Sequence, residues 1–408
     1  TYQLSALMQP GVCMVIDPIL SLMRDQVKGL RDHWIDACHF INSSIKTREK
    51  KVEIQKKISE GKALFFFISP ERLLIEDFRS YLHKMSKEDN PVYYSYCVID
   101  EAHCVSEWGH DFRTSYLSVA ENAMRFCITH SDAIDTVPIF ALTATASYDV
   151  LTDIQRELSG NDMSFRIGEE AIVELDEYTR PELSFKIEQI NSKELTGATD
   201  FELKKKVSEQ KNEHIKEILL NHEKNLSEGA GLIFTPHRSH YFGITDRFKA
   251  KDGSNGVLDN LQKDVPRLSH KMGFFMGSGD QDDSVQELSL SNQDKFLNGD
   301  LNLLVATKAF GMGIDKNNIR FTVHYNYPSS IESFLQEAGR AGRDGDDAEC
   351  YLLYTDPNLL EQDVEFEVNE YFHKNTYRGA DKEKHIISEL LHKIFQPDRT
   401  YELTADIQ

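Results

Sequence analysis

Nine short apolar runs, each stopped by a small or polar cluster, most tightly limit what this chain folds into. They cover residues 12–16, 63–68, 96–99 and 138–142 in the first half, and 231–234, 273–276, 301–305, 321–325 and 350–354 in the second. The runs are continuous rather than alternating, the pattern of strands covered on both faces in a parallel sheet. Helical periodicity fills the gaps between them, over 20–30, 48–59, 149–158 and from 331 onward. This alternation predicts an α/β fold of two lobes, each a parallel sheet flanked by helices. In open parallel sheets, ligands bind in the crevice beyond the carboxyl ends of the strands. The polar groups after the runs are therefore expected on one rim or facing one cleft: Asp17-Pro18, Ser69 to Arg72, Asp100 to His103, Thr143 to Ala146 and Thr307 to Asp315.

An acidic, pattern-poor stretch at 166–178 separates the two series. The expected division is a first lobe over 1–168, a second over 169–360 and a helical extension over 361–408, where Ile387, Leu390, Leu391, Ile394 and Phe395 precede Pro397. Residues 199–228 alternate Lys and Glu at helical spacing and read as a solvated amphipathic helix. Residues 248–271 and 277–294 are polar and read as loop insertions.

Composition removes several function classes. Lys plus Arg number 46 against 67 Asp plus Glu, a net charge of −21. That argues against a polybasic nucleic-acid coat or a protein held on anionic lipid. A local basic groove is still compatible, because charge is screened over about 10 Å. The longest apolar run falls far short of the ~20 residues that span a bilayer. The six cysteines, Cys13, Cys38, Cys97, Cys104, Cys127 and Cys350, include no CxxC pair. They read as reduced thiols of a cytoplasmic protein, with no zinc site expected.

Two constellations carry chemistry. Asp100-Glu101-Ala102-His103 directly follows the apolar run 96–99. A strand-end Asp is placed to hold Mg²⁺ through its waters, and the next carboxylate to orient and deprotonate an attacking water. The second is Gln336-Glu337-Ala338-Gly339-Arg340-Ala341-Gly342-Arg343. Two arginines three apart are expected on one helical face, and their planar forks suit a polyphosphate.

With their neighbours, these segments resemble the helicase core of superfamily 2, and within it the RecQ family of DNA helicases. The segment from Cys104 through Trp108, His110, Phe112 and Arg113 is similar to the RecQ aromatic-rich loop. Residues 15–26 are similar to motif Ia and 69–72 to motif Ib. Residues 142–146 match motif III, 233–235 motif IV, 306–316 motif V and 336–343 motif VI. The resemblance covers residues 1–360 and implies two RecA-like lobes, the first incomplete at its N-terminus.

It also implies roles. Asp100 and Glu101 would serve Mg²⁺ and the attacking water, and His103 would sense the phosphate. Gln336, Arg340 and Arg343 would reach ATP from the second lobe, with Arg343 as the finger. Gly313 and Asp315 would line the nucleotide, and Thr143 and Thr145 would couple hydrolysis to lobe movement. Single-stranded and duplex DNA would lie on Arg24, Ser69, Arg72, Trp108, His110, Phe112, Arg113, Thr235, Arg238 and Thr307. The implied activity is ATP-driven 3′-to-5′ movement on single-stranded DNA with unwinding of duplex.

The sequence departs from the family in three places. No Gly-x-x-x-x-Gly-Lys-Ser/Thr string occurs; that phosphate cradle is expected just before the helix containing Tyr2. The chain is therefore expected to be a fragment that alone hydrolyses little ATP. Glu107 stands where the family has Gln, and Asp17 where it has Ser. The alternatives are a non-catalytic module that binds DNA or a partner and, disfavoured by the aromatic loop, an RNA helicase. With few placed cations on an acidic body, DNA binding should be weak and fall steeply with added salt. A flat salt titration would contradict this.

Overall fold

A computed structural model describes residues 2–355, apart from residues 19, 43–44, 46, 86–91, 107–113, 128–136, 145–147, 160–166, 174–178, 191–198, 246–254, 277–282, 308–309, 311–314 and 329–330. All nine apolar runs fall on strands. The first sheet is built around β1 (Val12–Ile16), every residue of which is buried. Val12, Met14 and Ile16 enter one core cluster, while Cys13 and Val15 enter another on the opposite face. That two-sided burial is why the run is continuous rather than alternating. The order is β2 (Cys38–Ile41), β3 (Phe65–Ile68), β1, β4 (Tyr94–Ile99) and β5 (Ile139–Ala141), with every neighbouring pair parallel. Helices α1 (Tyr2–Leu7), α2 (Leu20–Asp32), α3 (Arg48–Ser59), α4 (Glu76–Met85), α5 (Val119–Phe126) and α6 (Tyr148–Leu158) accompany it.

The second sheet shares no strand with the first. Its order is β6 (Leu183–Ile190), β11 (Ala348–Thr355), β10 (Ile319–His324), β7 (Ala230–Phe234), β9 (Leu303–Ala306) and β8 (Met272–Phe275), again all parallel. The division expected at 168 lies between α6 and β6. The extension expected over 361–408 lies outside the described residues.

In both sheets the ladder runs one residue past the strand ends. Asp17 N–H donates to Ile68 O, Asp100 N–H to Ile16 O and Leu142 N–H to Ile99 O. Thr235 N–H donates to Ala306 O, and Tyr325 N–H to Phe234 O. Parallel pairing thus brings Asp17, Asp100 and Thr143 out along one rim, and Thr235, Thr307 and Tyr325 along the other.

Three readings are corrected. Residues 248–271 and 277–294 are not merely loop insertions. They include α9 (Val257–Asp264), a 3₁₀ turn at Pro266–Lys271 and most of α10 (Asp283–Asn298). Their polar composition hid buried positions: Val257, Leu258 and Leu261 on α9, and Asn292 on α10, whose amide donates to Phe274 O at 3.0 Å. Strands β2 and β6 gave no apolar run. In β6, an edge strand, buried and exposed positions mix, as expected of a half-solvated strand. The third correction concerns α7 (Asp200–Asn221), whose N-terminus is closed by a capping box between Thr199 and Glu202. It is followed by α8 (Glu223–Glu228). Val207, Ile215, Ile218 and Leu219 are buried as their spacing predicts, but so is Lys211, at 0% exposure. Its ammonium donates to Tyr325 O at 2.5 Å, Asn326 Oδ1 at 3.2 Å and Leu353 O at 3.5 Å. These acceptors lie more than 100 residues along the chain, beyond the reach of local pattern.

Lys211 therefore ties the ends of β10 and β11 together. Replacing it with Met would leave these acceptors buried without their donor, at about 1–3 kcal/mol each. Urea unfolding of Lys211→Met is expected to show a loss of at least about 3 kcal/mol. A change within about 0.5 kcal/mol, the usual effect of a surface substitution, would mark the residue as solvated after all.

Candidate active site

Asp100 leaves β4 held on four sides. Its N–H bonds Ile16 O, and its carbonyl accepts the Tyr116 hydroxyl at 3.2 Å. Oδ1 accepts the Glu101 N–H at 3.0 Å. Oδ2 accepts Gln26 Nε2 at 2.9 Å, and Gln26 Oε1 in turn accepts the Tyr2 hydroxyl. Glu101 adopts left-handed backbone, φ 51° and ψ 48°. For a residue with a Cβ this costs about 1–2 kcal/mol. The kink turns the chain into a buried 3₁₀ turn, Ala102–Val105. There His103 Nδ1 lies 3.3 Å from Glu101 Oε2 and 3.1 Å from Thr143 Oγ1. One ring nitrogen thus sits between the end of β4 and the end of β5.

Burial, then the neighbouring Asp100 charge, pushes the Glu101 carboxyl up to about 7, against the opposing pull of Arg340. Burial also raises Asp100, opposed by its bonds from Gln26 and the Glu101 amide. Arg340 belongs to the second lobe and is 3% exposed. Burial and the charge of Arg343 bring it down to about 10, while Glu337 and then Glu101 hold it up. The two lobes therefore present a half-buried carboxylate pair and a buried guanidinium within electrostatic reach of each other.

The arginines do not share a helical face, as their spacing suggested. Helix α11 (Ile331–Ala338) stops before them. The chain turns at Gly342, whose φ of +64° suits glycine, and the Gly342 N–H bonds Ile319 O. Arg340 is buried while Arg343 is exposed and pairs with Asp315, Nη1 to Oδ1, at 2.9 Å. The arginine whose charge reaches Glu101 is thus Arg340. Gln336 lies half-buried on α11.

The expected DNA-contacting groups divide. Arg24 and Arg238 are exposed, and Ser69 and Thr307 are half-buried. Arg72 is partly committed within the first lobe, donating to Asn42 O at 2.9 Å. Thr235 is buried, and its hydroxyl donates to His237 O at 3.1 Å, so it braces its own loop instead of facing a ligand. Trp108, His110, Phe112, Arg113, Thr145 and Gly313 lie outside the described residues. Asp25, on α2, is pushed up to about 6 by burial, with Asp294 and Asp315 of the second lobe adding to it. Sequence reasoning assigned no role to Tyr2, Gln26, Tyr116 or Arg180. Gln26 stood within a motif but carried no chemistry of its own. Arg180 belongs to no motif, yet donates to Gly339 O at 3.3 Å and Ala341 O at 2.9 Å.

The donor set suits Mg²⁺. Asp100 and Glu101 are hard-oxygen ligands, both disfavoured as ions by burial and Glu101 also by the Asp100 charge, a conflict that a divalent cation relieves. Among the described residues no group of three or more His, Cys, Asp or Glu could cage a metal. One or two carboxylates with waters and phosphate oxygens are the usual Mg²⁺ arrangement.

Because its folded value exceeds the ordinary 4.5, Glu101 contributes full stability only below pH 4.5 and loses it as pH rises through about 7. Glu101→Gln is expected to melt higher than the parent near pH 8, by the equivalent of about 3 kcal/mol, with the gap closing near pH 4. Equal melting at both pH values would contradict the buried-charge account.

Residues 1–154 match the DEAD/DEAH box helicase family model, and residues 210–345 the helicase conserved C-terminal domain. The chain is 35% identical over 373 residues to the ATP-dependent DNA helicase RecQ of Bacillus subtilis, covering 91% of this chain and 52% of that protein. It is 33% identical to RecQ of Haemophilus influenzae, covering 86% of this chain and 46% of that one. The chain thus spans about half the length of the curated relatives it matches. Among solved structures, it resembles the DUF1998 helicase MrfA bound to DNA and AMPPNP, with a TM-score of 0.59 at 16% identity, covering 92% of this chain and 46% of that one. It also resembles the Saccharomyces cerevisiae protein Dbp5 bound to RNA and ADP BeF3, with a TM-score of 0.54 at 14% identity, covering 97% and 85%. These structural likenesses speak to the two-lobed fold alone. With both helicase domains in order and RecQ relatives along nine-tenths of its length, the chain belongs to the RecQ family of superfamily 2 helicases.

Proposed function

We propose that this chain is the motor core of an ATP-dependent DNA helicase, which hydrolyses ATP between its lobes and steps 3′-to-5′ along single-stranded DNA. The observation that carries this reading is that the buried Arg340 guanidinium of one lobe lies within electrostatic reach of Glu101 on the other. A carboxyl poised at about 7 is matched to general-base work near neutral pH. Glu101 takes a proton from the attacking water at Oε1 or Oε2. Arg340 stabilises the charge that gathers on the transferred phosphoryl group, a role worth roughly 10³–10⁵ in rate in related chemistry. Asp100, its Oδ2 oriented by Gln26, is the group to hold Mg²⁺ through water, and Mg²⁺ when bound neutralises phosphate charge.

His103 carries the change onward. It touches both Glu101 and Thr143, so a shift of the Glu101 carboxylate is felt at the end of β5. The Arg343–Asp315 pair keeps the exposed arginine within its own lobe. DNA is proposed to cross the exposed Arg24 and Arg238, with Ser69 and Thr307 beside them. Phosphate contacts of this kind position a strand without reading its sequence.

In the full-length protein, Glu101→Gln is expected to abolish DNA-stimulated ATPase, by at least about 100-fold, with ATP binding retained. ATPase that persists in this variant would remove Glu101 from the role of base. The same assay with RNA in place of DNA separates the DNA reading from the RNA alternative. A protein that binds DNA but never hydrolyses ATP would be the non-catalytic module.

A further inference from the structure

The nucleotide reading above asks a great deal of Arg340. It must stay charged while buried, and it must point across the cleft from a turn rather than from a helix. Beyond the last residue of α11 the ladder loosens to the short i−3 bonds of a turn, Arg340 N–H to Glu337 O at 3.4 Å and Ala341 N–H to Ala338 O at 3.0 Å. Three residues without a role in that reading converge on this turn.

Arg180 comes from the segment that enters β6, some 160 residues away. Its Nη1 donates to Gly339 O at 3.3 Å and its Nη2 to Ala341 O at 2.9 Å. These carbonyls flank Arg340 on either side. The rigid guanidinium fork spans both, a geometry that lysine lacks. Its Nε is engaged by Glu182, so the fork is itself held.

Glu337 approaches from within α11. It is 7% exposed and stands three residues before Arg340, whose N–H bonds the Glu337 carbonyl at 3.4 Å. Oε2 of Glu337 lies 2.9 Å from His324 Nε2 at the end of β10. His324, at 1% exposure, is stacked on Phe234 at 5.2 Å and meets Phe334 edge-on at 4.8 Å. A buried imidazole between two aromatic rings is costly unless it answers another polar group. Here the polar neighbour is the Glu337 carboxylate, at ion-pair distance but without a hydrogen bond to the ring.

We infer that Arg180, Glu337 and His324 are positioning residues for Arg340: Arg180 clamps the backbone on both sides of it, and the His324-anchored Glu337 fixes the charge beside its guanidinium. The contribution of Glu337 to Arg340 exceeds that of Glu101, consistent with a permanent partner on the same lobe and a second partner met across the cleft. The arrangement keeps the arginine charged and aimed before any nucleotide arrives, as catalytic electrostatics require. This inference rests on the reading of Arg340 as an ATP-site group.

The test uses the full-length protein and steady-state DNA-stimulated ATPase, with melting temperature as a control. Arg180 is partly exposed, so Arg180→Ala should fold normally. Arg180→Ala and Glu337→Gln are each expected to lower kcat about 10- to 100-fold, with KM for ATP and melting little changed. Added to Arg340→Ala, neither should lower the rate further, because the group they position is gone. A wild-type kcat in Arg180→Ala beside an inactive Arg340→Ala would overturn the inference. So would losses that simply multiply in the double variants. Should Glu337→Gln fail to fold, the Arg180→Ala arm decides alone. A wild-type rate in Arg340→Ala would sink the underlying reading, and the inference with it.

Discussion

Buried charge is the constraint on which the rest of this structure depends. Asp100 and Glu101 lie side by side at the end of β4, where burial disfavours the ionisation of both and the Asp100 charge adds to the penalty on Glu101. Arg340, on the opposite lobe, is more deeply enclosed than either carboxylate. Taking such groups from water costs several kcal/mol apiece unless partners answer them. Each lobe supplies a partial answer of its own: Gln26 and the Glu101 amide for Asp100, Glu337 for Arg340. The remainder lies across the cleft. A site so arranged stores an electrostatic preference for whatever brings cation, phosphate and guanidinium together.

The scaffold around these charges is correspondingly over-determined. Tyr2, Gln26 and Tyr116 fix Asp100 from three different elements. The left-handed Glu101 backbone persists because the ladder bonds on either side of it leave the chain no easier path. In the second lobe, Lys211 binds the ends of β10 and β11 from beneath, while Arg180 and Glu337 secure the turn that follows α11. Both lobes thus brace a strained or irregular functional segment against a rigid parallel sheet.

The legibility of these features followed the range of the forces behind them. A strand buried on both faces must be apolar throughout, so β1, β3, β7 and β10 were visible as runs. An edge strand such as β6 escaped, because half of it faces water. Helix α10 escaped for the opposite reason: its buried Asn292 and Ser289 are polar, and composition reads polar as exposed. The Asp100-Glu101-Ala102-His103 string was readable because its chemistry is contiguous. The path of Arg340 was not, because three glycines nearby end the helix that spacing alone would have continued.

What the sequence determined by itself was the two-lobed parallel α/β architecture, the rim on which function collects and the residue types that act there. These follow from periodicity and from chemistry carried by neighbouring residues. What only the tertiary structure decided was which arginine faces the carboxylates, which lysine is buried, and which threonine spends its hydroxyl inside. Each choice depends on partners brought close by parallel crossovers from tens to hundreds of positions away, and no local pattern encodes that proximity. The net charge of −21 illustrates the same division. It is a property of the whole chain and says nothing of the Arg340 guanidinium buried within reach of Glu101.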